Sequence, residues 1–192
     1  MDNSLDKIKQ EVLSCQKCEL GKTRINPVVG EGHLNSSILF IGEAPGANED
    51  ATGRPFCGKA GQVLDELLSV AGIERADVYI ANILKCRPPK NRNPHSQEIQ
   101  VCCEYLDKQI EVIKPKIICC LGNFAATYIL TKYGFKDRVY GIGKIHGKIF
   151  FYRSPTIAVK IVPMYHPASV TYNINMMKIL QKDFNMLKNI PR

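Results

Sequence analysis

The sequence predicts a single α/β domain in which a mainly parallel sheet lies between layers of helices. Three short apolar runs, at 37–41, 78–83 and 116–121, have the length and composition of buried strands. Segments with helical periodicity alternate with these runs, and this alternation is typical of a three-layer αβα fold. A chain of 192 residues suffices for one domain with a substantial core, so we assign residues 1–192 to one domain.

Each predicted helix has an amphipathic pattern or a recognisable boundary. The predicted helices cover residues 5–14, 60–71, 96 to about 114, 122–130 and about 176–187. Ser4 is the predicted N-cap of the first, Gly72 ends the second, and Pro115 marks the end of the third. Two further strands are predicted at 145–152 and 156–164, joined at a Ser-Pro turn.

Composition indicates an intracellular protein and suits a polyanionic partner. No apolar run approaches the roughly 18 residues of a membrane span, and the first ten residues lack a signal-peptide pattern. We therefore expect no membrane partner. In a reducing compartment, eight cysteines favour metal binding over disulfides. The net charge of +8 suits nucleic acid, although a lysine-coated surface explains it equally well.

Four basic residues are concentrated in one short proline-rich segment. They are Lys85, Arg87, Lys90 and Arg92, with prolines at 88, 89 and 94. Because prolines prevent a regular helix, we expect a stiff, exposed loop that carries these charges to phosphates.

Cysteines in two groups predict a metal centre. Cys15 and Cys18 form a CxxC pair, and Cys86 precedes the adjacent Cys102 and Cys103. Four thiolates close either a zinc site or an iron–sulfur cluster, and the wide separation of the two groups favours the cluster. The residues alone do not choose between Cys102 and Cys103 as the fourth ligand.

A turn-rich segment after the first strand has the character of a ligand-binding loop. Residues 42–58 read GEAPGANEDATGRPFCG, with neither the GK[ST] of a Walker motif nor the GxGxxG order of a dinucleotide site. Its small residues allow the backbone to approach a ligand closely. The loops that begin at Gly42, near Asn82, after Leu121 and at His166 are expected at the carboxyl edge of the sheet, where α/β folds bind ligands.

The order of these motifs resembles one enzyme family. GEAPG followed by ED, GRPF, a strand ending in Asn before CRPP and NR, and a late HP are similar to family-4 uracil-DNA glycosylases of thermophilic bacteria and archaea. The resemblance extends from Cys15 to about Asn173. It implies a four-stranded, mainly parallel sheet between helices. It also implies a structural [4Fe–4S] cluster ligated by Cys15, Cys18, Cys86 and Cys102.

The resemblance also implies a role for each residue of the loop cluster. Gly42, Glu43 and Ala44 would line a uracil pocket, Glu49 would crowd the C5 position, Phe56 would stack on the base, Asn82 would read its edge, and His166 would approach O2. Glu43 and His166 are the expected catalytic residues. The residues do not decide whether Glu43 orients the attacking water or stabilises the sugar cation.

Uracil-containing DNA is the implied partner, with Tyr172 or Asn173 near the gap left by a flipped base. The resemblance implies a prokaryotic, cytoplasmic, nucleoid-associated monomer, and a sliding-clamp partner is not readable from the sequence. Two other interpretations remain: an iron–sulfur redox or sensing module that binds nucleic acid without cutting it, and a zinc-stapled DNA-binding domain. The set of Glu43, Asn82 and His166 at three loop exits favours the enzyme.

Overall fold

The computed structural model describes residues 4–190, and a five-stranded sheet lies at its centre. The strands are β1 (Ile38–Gly42), β2 (Tyr79–Asn82), β3 (Ile117–Leu121), β4 (Phe150–Arg153) and β5 (Ala158–Met164), in the spatial order β2-β1-β3-β5-β4. The pairings are parallel except that of β4 with β5, which is antiparallel. The predicted α/β class with a mainly parallel sheet is confirmed.

The sheet has one strand more than the resemblance implied. β4 is the additional edge strand, paired only with β5. The strand predicted at 145–152 begins too early, because Ile142–Ile145 forms a helical turn and the Lys148 N–H closes a turn on the Ile145 carbonyl. The second predicted strand, at 156–164, corresponds to β5.

Helices cover both faces of the sheet. They are α1 (Ser4–Leu13), α2 (Leu20–Thr23), α3 (Ala47–Thr52), α4 (Lys59–Val70), α5 (Ser96–Ile113), α6 (Asn123–Lys132), α7 (Ile142–Ile145), α8 (Ser169–Tyr172) and α9 (Met176–Asn185). The five predicted helices correspond to α1, α4, α5, α6 and α9. The other four have at most six residues, too few to show a helical periodicity. Ser4, the predicted N-cap, is already helical, and residues 1–3 lie outside the described part.

Alternate strand residues face opposite helical layers, which divides the core in two. Leu39 packs in the layer of α1, α5 and α6. Phe40 faces the layer of α4 and α9, where its ring stacks on Phe184 with centroids 5.6 Å apart. Cys119 and Cys120 are fully buried on opposite faces of β3, as expected of core residues.

The parallel strands bring their carboxyl ends to one edge of the sheet. Gly42 pairs with Asn82 across β1 and β2, and Leu121 pairs with Met164 across β3 and β5, two residues before His166. The four predicted loop exits therefore meet at this edge. Within residues 4–190, no helix has the length and apolar character needed to cross a membrane.

Candidate active site

A cleft of about 620 Å³ opens at the carboxyl edge of the sheet and brings most of the predicted site residues together. Those that line it are Glu43, Ala44, Glu49, Phe56, Asn82, Arg92, His166 and Tyr172. Sequence reasoning missed Asn91, Asn93 and Ser169, which also line the cleft. The two asparagines flank Arg92 in the polar NRN turn, and this proximity is a signal that could have found them. Ser169 begins the SVTYN segment that also contains Tyr172 and Asn173, but its residue type gives no signal of its own.

Gly42 allows two side chains to converge at the base of the cleft. A Cβ atom on Gly42 would lie 2.3 Å from Oδ1 of Asn82 and 2.6 Å from Cζ of Phe56, closer than real contacts permit. Only glycine leaves this space open. Gly42 itself is buried behind these side chains, so its contribution to the site is the room that it leaves.

Asn82 presents an amide that the protein leaves unpaired. It is the last residue of β2 and is only 2% exposed. Among the described residues, no protein group forms a hydrogen bond with its side-chain amide, which faces the cleft. Both the oxygen and the nitrogen of this amide are therefore available for hydrogen bonds to a ligand in the cleft.

Phe56 is held in a strained backbone conformation beside His166. Its φ of 48° lies in the left-handed region, which costs a bulky residue on the order of 1–3 kcal/mol. The turn is anchored by Arg75, whose Nη2 donates to the Pro55 carbonyl at 2.7 Å while its Nε pairs with Glu31. The Phe56 and His166 rings stack, with centroids 5.6 Å apart. These contacts hold the strained turn and keep an aromatic face at the cleft wall.

His166 is a neutral imidazole with a defined tautomer. Its Nδ1 accepts a hydrogen bond from the Ala168 N–H at 3.1 Å, so the neutral ring carries its proton on Nε2. Burial lowers the pKa of His166 to about 4, an effect that the nearby Glu49 carboxylate only partly opposes. At neutral pH the ring therefore has an Nε2–H available to donate in the cleft.

Glu43 is a half-buried carboxyl group in the same cleft. Burial raises the pKa of Glu43 above its ordinary value. Its main chain is fixed, because the Leu84 N–H donates to the Glu43 carbonyl at 3.0 Å. Within residues 4–190 its side chain has no hydrogen-bonding protein partner, so the carboxyl group is free to contact a substrate or a water molecule.

Glu49 joins two loops of the cleft wall. Its carboxylate accepts the N–H groups of Gly46 at 3.1 Å, Cys57 at 2.9 Å and Gly58 at 2.8 Å. It thereby ties the start of α3 to the turn that follows Phe56. These bonds hold the Glu49 side chain in one position on the cleft surface.

The basic segment contributes fewer exposed charges than predicted. Lys90 is exposed and Arg87 is half-buried, whereas Arg92 pairs with Glu98 through contacts of 2.6 and 2.9 Å. The prediction that Lys85 lies on the exposed surface is wrong: it is 1% exposed. Burial lowers the pKa of Lys85 to about 8. Its ammonium group turns inward because Asn82 and Gln109 offer buried acceptors, so in this conformation it cannot reach phosphates.

Tyr172 projects from the rim of the cleft. It ends α8 and is 91% exposed, which is unusual for a large aromatic side chain in a monomer. Asn173 is also exposed but does not line the cleft, and its Oδ1 accepts the Asn175 N–H at 3.0 Å. The rim therefore presents a free aromatic ring next to a fixed polar turn.

Four cysteines surround a separate small cavity: Cys15, Cys18, Cys86 and Cys102. Cys103 does not line it. Two N–H groups point at the sulfurs, since Arg24 Nη1 donates to Cys86 Sγ at 3.1 Å and the Lys85 main chain donates to Cys102 Sγ at 3.2 Å. Burial raises the pKa of Cys86 and raises that of Cys102 to about 12.

The arrangement of these thiols bears on the kind of group that they fit. Within residues 4–190, no three His, Cys, Asp or Glu side chains are placed to hold a metal ion. Mononuclear zinc needs its sulfurs about 2.3 Å from one centre. A cluster of several irons takes four soft thiolates at wider spacing and is stabilised by N–H···S hydrogen bonds. Four soft thiols with two N–H donors aimed at them form a donor set that an iron–sulfur cluster accepts.

Comparison with known proteins gives a family model and several relatives that match most of the chain. Residues 29–188 match the family model described as the uracil DNA glycosylase superfamily. The chain is 46% identical to a type-4 uracil-DNA glycosylase of Sulfurisphaera tokodaii over 98% of this chain and 85% of that protein. Its identity to the type-4 enzyme of Archaeoglobus fulgidus is 43%, over 96% and 92% of the two chains. For the Thermotoga maritima enzyme the identity is 39%, over 95% and 92%.

Proposed function

This chain belongs to the uracil-DNA glycosylase superfamily, and we propose that it hydrolyses the N-glycosidic bond between uracil and deoxyribose in DNA. Such a monofunctional glycosylase releases uracil and leaves an abasic site, the first step of base excision repair. The observation that carries the proposal is the side-chain amide of Asn82, which has no hydrogen-bonding partner among the described residues and faces a cleft that also contains Phe56 and His166.

Recognition follows from the amide of Asn82. Its oxygen can accept from N3–H of uracil while its nitrogen donates to O4. Cytosine presents the opposite order at these two positions, so both contacts would fail, and mismatches of this kind give roughly 10⁴–10⁵ discrimination. A base must leave the duplex to enter such a cleft, so it loses its stacking on the neighbouring bases. Phe56 offers a replacement stacking surface worth about 1–3 kcal/mol.

Catalysis follows from the tautomer of His166. Bond cleavage places negative charge on N1 and O2 of uracil. Nε2–H of a neutral imidazole can stabilise this charge by donating a hydrogen bond to O2 while the proton stays on the imidazole. The Glu43 carboxylate acts on the sugar side, either by orienting the water or by stabilising the cationic sugar. Both roles require the carboxylate form, so the raised pKa of Glu43 shifts the loss of this form on acidification towards higher pH.

Thymine differs from uracil only by its C5 methyl group and must be rejected sterically. We propose that Glu49 crowds this position. Its three hydrogen bonds to backbone N–H groups support the proposal, because a fixed side chain excludes a methyl group more strictly than a mobile one.

We propose that Arg87, Lys90 and Arg92 contact phosphates, whereas Lys85 is too deeply buried to do so. We propose that Tyr172 or Asn173 lies near the gap that the flipped base leaves in the duplex, and the exposure of both side chains supports this role. We further propose that the protein acts as a monomer on nucleoid DNA in the cytoplasm.

We also propose that Cys15, Cys18, Cys86 and Cys102 hold a structural [4Fe–4S] cluster. The shared cavity and the two N–H···S contacts support this assignment. When bound, the cluster would connect the segment that contains the CxxC pair to the loop that carries Arg87 and Lys90 and hold the two together.

A gel assay with a single-uracil oligonucleotide tests the proposed activity. The protein is incubated with matched oligonucleotides that carry uracil, cytosine or thymine at one position, and alkali then cleaves any abasic site. We expect cleavage only at uracil, in single strands or opposite guanine or adenine. Intact uracil strands after complete incubation would contradict the proposal and favour a module that binds nucleic acid without cutting it.

A further inference from the structure

A buried polar network lies beneath the recognition residue. Nζ of Lys85 donates to the main-chain carbonyl of Asn82 at 2.9 Å and to Oε1 of Gln109 at 2.8 Å. Gln109 is fully buried, and its Nε2 donates to the Val29 carbonyl at 2.9 Å and to the Tyr79 hydroxyl at 3.0 Å. The position of the ammonium group is therefore set by several parts of the chain.

The Asn82 carbonyl needs this donor because β2 is an edge strand. The Ile83 N–H donates to Gly42 of β1, so the polar groups of Asn82 point to the outer side, by the alternation of a strand. At Ile80 this outer edge is paired with Glu31, which exchanges two hydrogen bonds of 2.8 and 2.9 Å with it. Asn82 is the next residue whose main chain faces outward, and Nζ of Lys85 supplies the hydrogen-bond donor for its carbonyl.

The main chain of Lys85 is also fixed. Its N–H donates to Cys102 Sγ at 3.2 Å, and its carbonyl accepts the Val28 N–H at 2.7 Å. A buried ammonium group is costly unless it is hydrogen-bonded, whereas an apolar side chain of similar size would fill the space without that cost. The hydrogen bonds that Lys85 donates, rather than its packing, therefore explain why a lysine occupies this buried position.

We propose that Lys85, oriented by Gln109, is a positioning residue that fixes the main chain of Asn82 and thereby aims its amide at the flipped base. The proposal rests on the proposed recognition of uracil by Asn82. Lys85 does not line the cleft, so we expect it to affect the reaction through Asn82 rather than by touching the base.

A double-mutant cycle with Asn82→Ala tests this proposal. Lys85→Met should lower the single-turnover rate of uracil release at saturating DNA by about 10- to 100-fold, as expected for one hydrogen bond from a charged donor. The DNA concentration at half-saturation should change little. In the Asn82→Ala background the same substitution should lower the residual rate by less than about threefold, because no amide remains to be positioned.

Lys136→Met, at an exposed position, is the matched control and should match the native rate. Gln109→Leu is a second variant of the same network. It also replaces Lys85→Met in the test if circular dichroism shows that Lys85→Met does not fold. It should give a loss of about 3- to 10-fold that again disappears in the Asn82→Ala background. Equal losses in both backgrounds, or native rates in both variants, would overturn the positioning role. Near-native activity of Asn82→Ala alone would instead refute the underlying recognition.

Discussion

The environment of His166 decides which form of its side chain acts in the cleft. Burial and the Ala168 N–H together favour the neutral ring with its proton on Nε2. An ordinary histidine, with a pKa near 6.5, would be partly charged at the same pH. The fold therefore selects a neutral hydrogen-bond donor from a residue type that is often cationic.

This selection predicts a pH dependence for the native protein. The folded pKa of His166 is about 4, against about 6.5 when unfolded, so between these values the unfolded chain binds a proton that the folded chain does not. The His166 contribution to stability is therefore complete above pH 6.5 and is lost as the pH falls towards 4. NMR titration of the His166 ring should give a midpoint near 4. A midpoint near 6.5 would show that the ring is solvated and not held as described.

At the scale of elements, the short helix α3 stabilises the site through one side chain. Glu49→Gln keeps the size of the side chain but replaces one acceptor oxygen with a donor, so at least one of its three backbone N–H groups loses its partner. We expect the free energy of unfolding to fall by about 1–3 kcal/mol. Glu66→Gln on the exposed face of α4 is the control. Equal denaturant midpoints for the two variants would show that the Glu49 bonds contribute nothing.

Elements differed in how far the sequence alone predicted them. Helices such as α4 and α5 are long enough for their apolar periodicity to mark them, and the predicted ends of the first two strands lie within one residue of the ends of β1 and β2. α3 has six residues within a turn-rich segment and gave no such signal.

Lys85 shows a second kind of limit. Its neighbours in the sequence indicate an exposed basic loop, but the burial of its side chain depends on Gln109 of α5 and on the outer edge of β2. Contacts between residues so distant in the chain are created by the fold, and no local pattern reports them. By contrast, one general rule predicted that Glu43, Asn82 and His166 converge on one cleft. Parallel strands bring their carboxyl ends to the same edge of the sheet, and each of these residues follows or ends such a strand.

For the whole molecule, the proposed cluster would join distant parts of the chain. Cys86→Ala should remove the brown colour and most of the bound iron, and it should lower the melting temperature because the staple is lost. Visible absorption and iron analysis measure the first effect, and thermal unfolding measures the second. Cys57→Ala, outside the cysteine cavity, is the control and should keep colour and iron. Full colour in Cys86→Ala would remove Cys86 from the ligand set, and a colourless native protein with stoichiometric zinc would refute the cluster.

In the proposed function a single amide selects uracil, and the kinetics of the Asn82→Ala variant test this selection. Single-turnover uracil release by Asn82→Ala should be at least about 100-fold slower than native, because two hydrogen bonds to the flipped base are lost. Its salt-dependent affinity for DNA should be unchanged, and the exposed control Asn35→Ala should match the native rate. If Asn82→Ala released uracil at nearly the native rate, the base would be recognised elsewhere, and the account of this cleft would be contradicted.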